Sequence, residues 1–300
     1  MANITTAEVN DSIATIIAAQ ALGRLRSNMV MARLVRRDWD TEVAKYGQTV
    51  QIPVRGSLSV NDKSANTVYT LQTPADTHVD VTLNKHKEVS FLIEDLARAL
   101  ARPDMLQGYM DDGVIAIAEQ IDADLLALYS GLGQSIDATG SAGPLKVEDF
   151  VEGRRVLNVA KAPMTERYAV LHPTAAAEIL ADTTFTNRDY RGPAEESALV
   201  NGYLGNIAGF TVLEDQNVTE TGGEQKNLFF QKNAFALVTR PLPAPDAGTG
   251  VIAKTMDEEG VGIRVMISYQ HTLGGHLCTI DVLYGVAEIR DNHGINVRTD

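Results

Sequence analysis

Hydrophobic positions along the chain change period, and each change marks an element. Over residues 7–37, Val9, Ile13, Ile16, Ile17, Ala21, Leu22, Leu25, Met29 and Leu34 follow a mixed spacing rich in three- and four-residue steps. That spacing predicts one or two amphipathic helices, read as an arm. Beyond Trp39 the period falls to two. Val50, Ile52 and Val54, then Leu58 and Val60, then Val79, Val81 and Leu83 alternate with polar residues, as half-buried strands do. Between these runs lies the turn-rich SVNDKSANTVYTLQTPAD at 59–76. A long two-stranded excursion is marginal by itself, so it needs another surface to lie on.

After the Phe91-Leu92-Ile93 run, Arg102-Pro103-Asp104 reads as a helix start: proline is tolerated in the first turn and aspartate complements the dipole there. Val114, Ile117, Ile121, Leu125 and Leu128 repeat at three and four residues, with Asp112, Glu119 and Asp122 assigned to other faces. One helix ending near Gly131 and Gly133 would span about 40 Å and serve as a spine. Residues 146–160 predict a second helix, Tyr168 to Leu171 a buried strand, and Pro173 to Ala181 a third helix opened by its proline. Glycine-separated strands follow through Val212, with more at Leu228–Phe230 and Ala234–Thr239, before the loop PLPAPDAGTG and a last alternating stretch. This rhythm is α+β. No repeat of twenty to fifty residues is present, which disfavours solenoids and propellers.

Composition narrows the classes. At 300 residues, 44% hydrophobic and 22% charged, the chain can bury a real core in two lobes. Its one cysteine, Cys278, excludes an intrachain disulfide and suits a reducing compartment. The opening MANITTAEVNDSIAT lacks a basic and apolar leader, and no run approaches eighteen apolar residues, so neither secretion nor a membrane span is expected. A net charge of -13 argues against a large nucleic-acid footprint. The charge is uneven: Arg24, Arg26, Arg33, Arg36 and Arg37 lie in a stretch without acids, whereas Pro103 to Leu145 holds seven acids and no Lys or Arg. Such asymmetry is either a docking device between copies or two solvated faces.

Candidate chemistry is thin. His271, His276 and Cys278 cluster, but paired metal-ligand spacing such as CxxC or HxxxH is absent, and a buried cysteine beside hydrogen-bonded histidines is the ordinary account. The glycines of SGLGQS (130–135) and DAGTG (246–250) lack the lysine of a phosphate loop and read as caps and turns. No GxSxG, HExxH or kinase signature occurs. The reading is of a protein that is not an enzyme and holds no cofactor or metal.

Three C-terminal phrases in fixed order carry more information: GYLGNIAGFTVLEDQNV (202–218), NAFALVTRPLP (233–243) and IDVLYGVAEIRDNHGINV (280–297). Behind a long acidic helix and a polar hairpin, they resemble the C-terminal half of tailed-phage major capsid proteins of the Hong Kong 97 fold, in the branch that uses a separate scaffolding protein. The resemblance implies an N-terminal arm (1–46), an extended loop (47–88), a peripheral domain with the spine helix (89–145), an axial domain (146–259) and returning peripheral strands (260–300). It implies self-assembly through pentamers and hexamers into an icosahedral virion shell in the host cytoplasm. The implied partners are a scaffolding protein, a portal protein, a possible decoration protein and double-stranded DNA held by weak non-specific contact, with no membrane. Subunit contacts are expected at Arg33, Arg36 and Arg37 in the arm, Arg55, Lys63 and Tyr69 on the loop, and Phe185, Arg188 and Tyr190 on the axial lobe. Some members cross-link loop to neighbour through lysine and asparagine, an idea that Lys63 at the loop tip invites, although an exposed lysine is ordinarily a soluble tip. Within the same fold the alternative is an encapsulin-like compartment; outside it, a soluble α+β enzyme or ligand-binding protein.

Overall fold

The computed structural model describes residues 20–21, 29–38, 49–56, 58–95, 105–182, 204–246, 250–258 and 261–300. In chain order these contain a one-turn helix α1 (Met31–Leu34), strands β1 (Thr49–Val54), β2 (Thr77–Thr82) and β3 (Lys85–Glu94), and the long helix α2 (Met105–Leu126). Then come β4 (Ser135–Asp137), α3 (Val147–Val159), β5 (Arg167–Leu171), α4 (Pro173–Ala181), β6 (Asn206–Ile207), β7 (Phe210–Glu214), β8 (Glu220–Thr221), β9 (Glu224–Gln231) and β10 (Phe235–Arg240). The chain finishes with β11 (Val251–Glu258), β12 (Val261–Gln270), β13 (Gly275–Glu288) and β14 (Gly294–Thr299). The arrangement is the mixed helix and sheet fold that the periodicity predicts.

Strand β13 organises the first sheet. Its partners in β12 end at Asp281 and its partners in β10 begin at Leu283, so these two strands follow one another along one edge. β3 pairs with Gly275 through Tyr284, overlapping both, and therefore takes the other edge. β11 closes the outside of β12. Helix α2 lies against this sheet because Val114, Ile117, Ile121 and Leu125 fall on one face, and each is fully buried with Ile280, Val282 and Tyr284. Each such side chain contributes about 1.5–3 kcal/mol of apolar burial. The α-helix stops at Leu126 and continues as a 3-10 turn over Ala127–Gly131, so the spine is somewhat shorter than expected.

The second sheet runs β4-β14-β9-β5-β7-β6, with β8 folded onto β9. Helices α3 and α4 share its core with Phe210, Phe229 and Ile295. Gly153, in the middle of α3, explains the close approach: a Cβ there would sit 2.9 Å from the Phe229 ring. A helix-interior glycine costs roughly 1 kcal/mol against alanine, and here it lets helix and sheet meet around the Phe150–Phe229 pair at 4.6 Å.

Three expectations are corrected. Leu58 and Val60 belong to no strand; the two-stranded ladder stops at the Val54–Thr77 pair. Residues 29–35 of the expected arm are not free of the body: Met29, Met31, Ala32, Leu34 and Val35 are buried in the core beside α2. Asp122, assigned to a solvated face, is 1% exposed. Its Oδ2 accepts the Val30 N–H at 2.6 Å and its Oδ1 the Ala32 N–H at 3.3 Å. Val30 has no capping side chain of its own, so Asp122 caps α1 from the far side of the chain.

Burial away from water, with the Asp215 carboxylate adding repulsion against the stabilising backbone donors, pushes the Asp122 carboxyl up to about 7. The folded state therefore keeps a proton between about pH 7 and 3.8 that the unfolded chain has lost, so this group's contribution to stability rises as pH falls through that window. Asp122→Asn is expected to remove most of that slope, on the order of 4 kcal/mol over the full window, and to be more stable than the parent at pH 8. Denaturant midpoints at pH 5, 6, 7 and 8 check this; an undiminished slope contradicts it.

Candidate assembly surfaces

The hairpin has a covered root and an uncovered excursion. At the root, Val50, Ile52, Val81 and Leu83 are buried against Ala236 and Val238 of β10. Cross-strand pairs Val50↔Val81 and Ile52↔Val79 set the register that turns them inward. Gly285 permits this seat, since a Cβ on it would lie 2.4 Å from the Thr82 carbonyl oxygen. Beyond the root the burial ends abruptly: Leu58 is 67% exposed, Val60 99%, Val68 90%, Tyr69 77% and Leu71 93%. Five large apolar side chains on one short excursion form a patch of the kind that marks an interaction site.

The tip is nonetheless ordered by its own polar groups. Lys63 Nζ donates to the Ser64 carbonyl at 3.0 Å, to Thr67 Oγ1 at 3.0 Å and to the Thr67 carbonyl, and it stands 5.2 Å from the centre of the Tyr69 ring. Asn66 takes the left-handed conformation the turn requires, φ 60°. Lys63 and Tyr69 are thus brought together; Arg55, also exposed, stands apart at the end of β1. On the body side of the excursion, Asp76 Oδ1 accepts the Gly56 N–H at 3.0 Å.

The arginines divide. Arg36 is woven into its own chain: its N–H donates to the Phe235 carbonyl at 3.1 Å, its carbonyl accepts the Leu237 N–H at 3.1 Å, and its guanidinium meets Asp38 at 2.6 Å and Asn233 at 3.4 Å. Arg33 is exposed and Arg37 partly so. Arg24 and Arg26, and Phe185, Arg188 and Tyr190 on the axial lobe, lie outside the described residues. Val151 and Val159 on α3 and Met164 beyond it are exposed. These were missed because a helix's polar face attracts no attention when only the buried stripe is sought.

Of the acidic spine, Asp112 and Glu119 are exposed. Asp124 accepts the Tyr284 hydroxyl at 2.5 Å and pairs with Lys85 at 3.0 Å, so the row is only partly a solvated face. Burial and that carboxylate together push the Tyr284 phenol far above its usual range. Burial likewise pushes the Cys278 thiol up to about 11, which keeps it protonated and a poor ligand or nucleophile. His276 packs its ring on Tyr269, centroids 5.2 Å apart, and His271 is exposed. Among the described residues no three His, Cys, Asp or Glu side chains converge on a metal position, and no helix is long and apolar enough to cross a membrane.

A body built on two large sheets, with a hairpin whose polar excursion leaves five large apolar side chains uncovered, suits the class of structural proteins that work through contact with neighbours. Sequence comparison makes this specific: a family model described as phage capsid protein matches residues 78–269, and the chain belongs to that family as a structural major capsid protein. The fold is similar to a structure from Mycobacterium phage Che8, with a TM-score of 0.65, 20% identity and 90% of each chain covered. It is similar to the capsid of Cyanophage P-SCSP1u, with a TM-score of 0.61, 16% identity and 85% of this chain matched to 84% of that one. The SrpI encapsulin of Synechococcus elongatus PCC 7942 is less similar, at a TM-score of 0.51, 14% identity and 88% of each chain. The compartment alternative is accordingly not favoured. No curated protein matches the sequence significantly.

The contrast between root and excursion is measurable in the isolated chain. Ile52→Ala is expected to lower unfolding stability by about 2–4 kcal/mol, whereas Leu71→Ala stays within about 0.5 kcal/mol. Equal losses in urea unfolding would contradict the assignment of Leu71 as uncovered.

Proposed function

We propose that copies of this chain assemble, through pentamers and hexamers, into the icosahedral shell of a tailed double-stranded DNA phage, with a fold of the Hong Kong 97 type. The single observation that carries the reading is the excursion at 58–75, whose apolar side chains find no cover on the parent molecule. In this reading the extended loop (47–88) lies over an adjacent copy and the arm (1–46), of which Ala21 and residues 29–35 pack in the parent's own core, reaches another. The peripheral regions (89–145 and 260–300) provide the spine and its sheet, and the axial domain (146–259) meets its equivalents around the ring axes. Arg33, Arg36, Arg37, Arg55, Lys63, Tyr69, Phe185, Arg188 and Tyr190 are the proposed contact residues.

Contacts of this kind are heterologous, and they close when the rotation between neighbours permits. Each is small, but their number rises with the shell, so assembly is expected to be steep in concentration. A separate scaffolding protein sets curvature, a portal protein occupies one vertex, and a decoration protein is a possible addition. Packaged DNA meets the wall only by weak non-specific contact. The net charge of -13 supports that last point, because mobile DNA is better held by a wall it does not adhere to. Assembly takes place in the host cytoplasm, without membrane or cofactor.

Electron microscopy of the purified chain, with and without a co-expressed scaffold, tests the reading: uniform hollow particles are expected, and a strictly monomeric species contradicts it. Deleting residues 57–75 is expected to leave a soluble fold that forms no closed particles. Normal particles from the deletion would make the loop dispensable.

A further inference from the structure

The excursion presents a physical problem of its own. Its two arms run side by side, exposed, yet among the described residues no backbone-to-backbone hydrogen bond crosses between them beyond the Val54–Thr77 pair. One side chain supplies the missing rung. Gln72 Oε1 accepts the Ser59 N–H at 2.9 Å and the Ser59 hydroxyl at 3.2 Å, while Gln72 Nε2 donates to the Ser59 carbonyl at 2.6 Å. A primary amide offers an acceptor and a donor side by side, as a peptide group does. Gln72 therefore reproduces with Ser59 the two-bond exchange of a hydrogen-bonded pair in an antiparallel ladder. Asp76 with Gly56 brackets this rung on the body side and Lys63 with Thr67 at the tip. Gln72 and Ser59 are both exposed and belong to none of the buried clusters, so the rung adds nothing to the core.

We propose that Gln72 is a positioning residue for assembly, a side-chain rung that holds the excursion in register before a neighbouring copy is met. The inference rests on the reading of this loop as a contact with another copy. Its physical basis is preorganisation: a loop ordered within the subunit does not have to lose the same conformational freedom on association. A side-chain rung takes up the backbone N–H and carbonyl of Ser59 alone, where a backbone pair would take up those of both arms. A net hydrogen-bond contribution of the usual size changes the ratio of registered to frayed loops about fivefold.

The test uses the full chain and three variants. Gln72→Ala removes the rung; Gln72→Glu keeps the length but turns an oxygen toward the Ser59 carbonyl; Thr70→Ala is a control on the same arm. Three quantities are measured: amide exchange at Ser59 in the unassembled chain, the subunit concentration for half-assembly (beside a scaffold if the parent needs one), and the thermal midpoint. Gln72→Ala is expected to speed Ser59 exchange about fivefold and to raise the half-assembly concentration by at least about that factor, while Gln72→Glu, which still accepts the Ser59 N–H but repels its carbonyl, raises the half-assembly concentration in the same direction. The thermal midpoint and the Thr70→Ala variant should stay at parental values. Unchanged exchange at Ser59 would overturn the rung; faster exchange with undiminished assembly would overturn its role in positioning. If the 57–75 deletion blocks particles while Gln72→Ala does not, this inference alone fails. If the deletion assembles normally, the loop reading fails with it.

Discussion

The structure depends on the double occupancy of one strand. β13 is fourteen residues long and has β3 on one edge and β12 followed by β10 on the other, with α2 across its face. No shorter strand could serve both β12 and β10, and β10 is what the hairpin root packs upon. The hairpin is thus fixed to the spine through a single continuous backbone. Asp281 secures the join: it is almost fully buried and takes Arg264 from β12 in two bonds, 3.0 and 2.5 Å, with His86 of β3 at 3.1 Å. A one-residue slip of either partner would part these side chains and turn the apolar set of the slipped strand to the other face.

From this rigidity follows the division of labour in the hairpin. Residues 49–54 and 77–82 are paired, and among the described residues between them the bonds that cross from one arm to the other come from side chains. Were the whole hairpin seated on its own body, its apolar residues would have no surface left to offer. Were it wholly unsupported, each association would have to order it anew. A fixed root with a lightly pinned excursion avoids both outcomes. It leaves Val60, Val68 and Leu71 uncovered by the parent body.

Much of this was legible from spacing. The boundaries of α3, α4 and β5 fall within a residue or two of what period and proline predict, because in those elements local preference and burial agree, whereas β9 begins at Glu224, four residues ahead of the expected Leu228, and β4 starts where only a turn was expected. The order of the C-terminal phrases was enough to bring the capsid family into view. What spacing could not reveal was long-range. Met29 and Met31 read as part of an amphipathic arm, but α2 supplies the apolar face they need in the same chain. Leu58 and Val60 continue the alternation of β1 without a strand opposite, so the period was right and the pairing was not. Gln72 carries no pattern at all: nothing in the chain text distinguishes a glutamine that completes a ladder from one that faces water. Phe185, Arg188 and Tyr190, expected as contacts, lie outside the described residues.

The buried carboxylate at the arm root shows why a structural protein would retain an unfavourable charge. An apolar side chain at position 122 would suit the interior of α2 better, as replacement of buried ionic groups often does. It would also be indifferent to where residues 30–32 lie against the helix. Two backbone N–H groups aimed at two oxygens are not indifferent: a shift of the segment by one residue breaks both bonds and leaves Asp122 buried without them. Asp215, equally buried and with Oδ2 lacking a partner among the described residues, raises the cost of such a mistake further. The charge thus trades stability for position. Two bonds that fail together under a one-residue shift fix residues 30–32 at one place on α2.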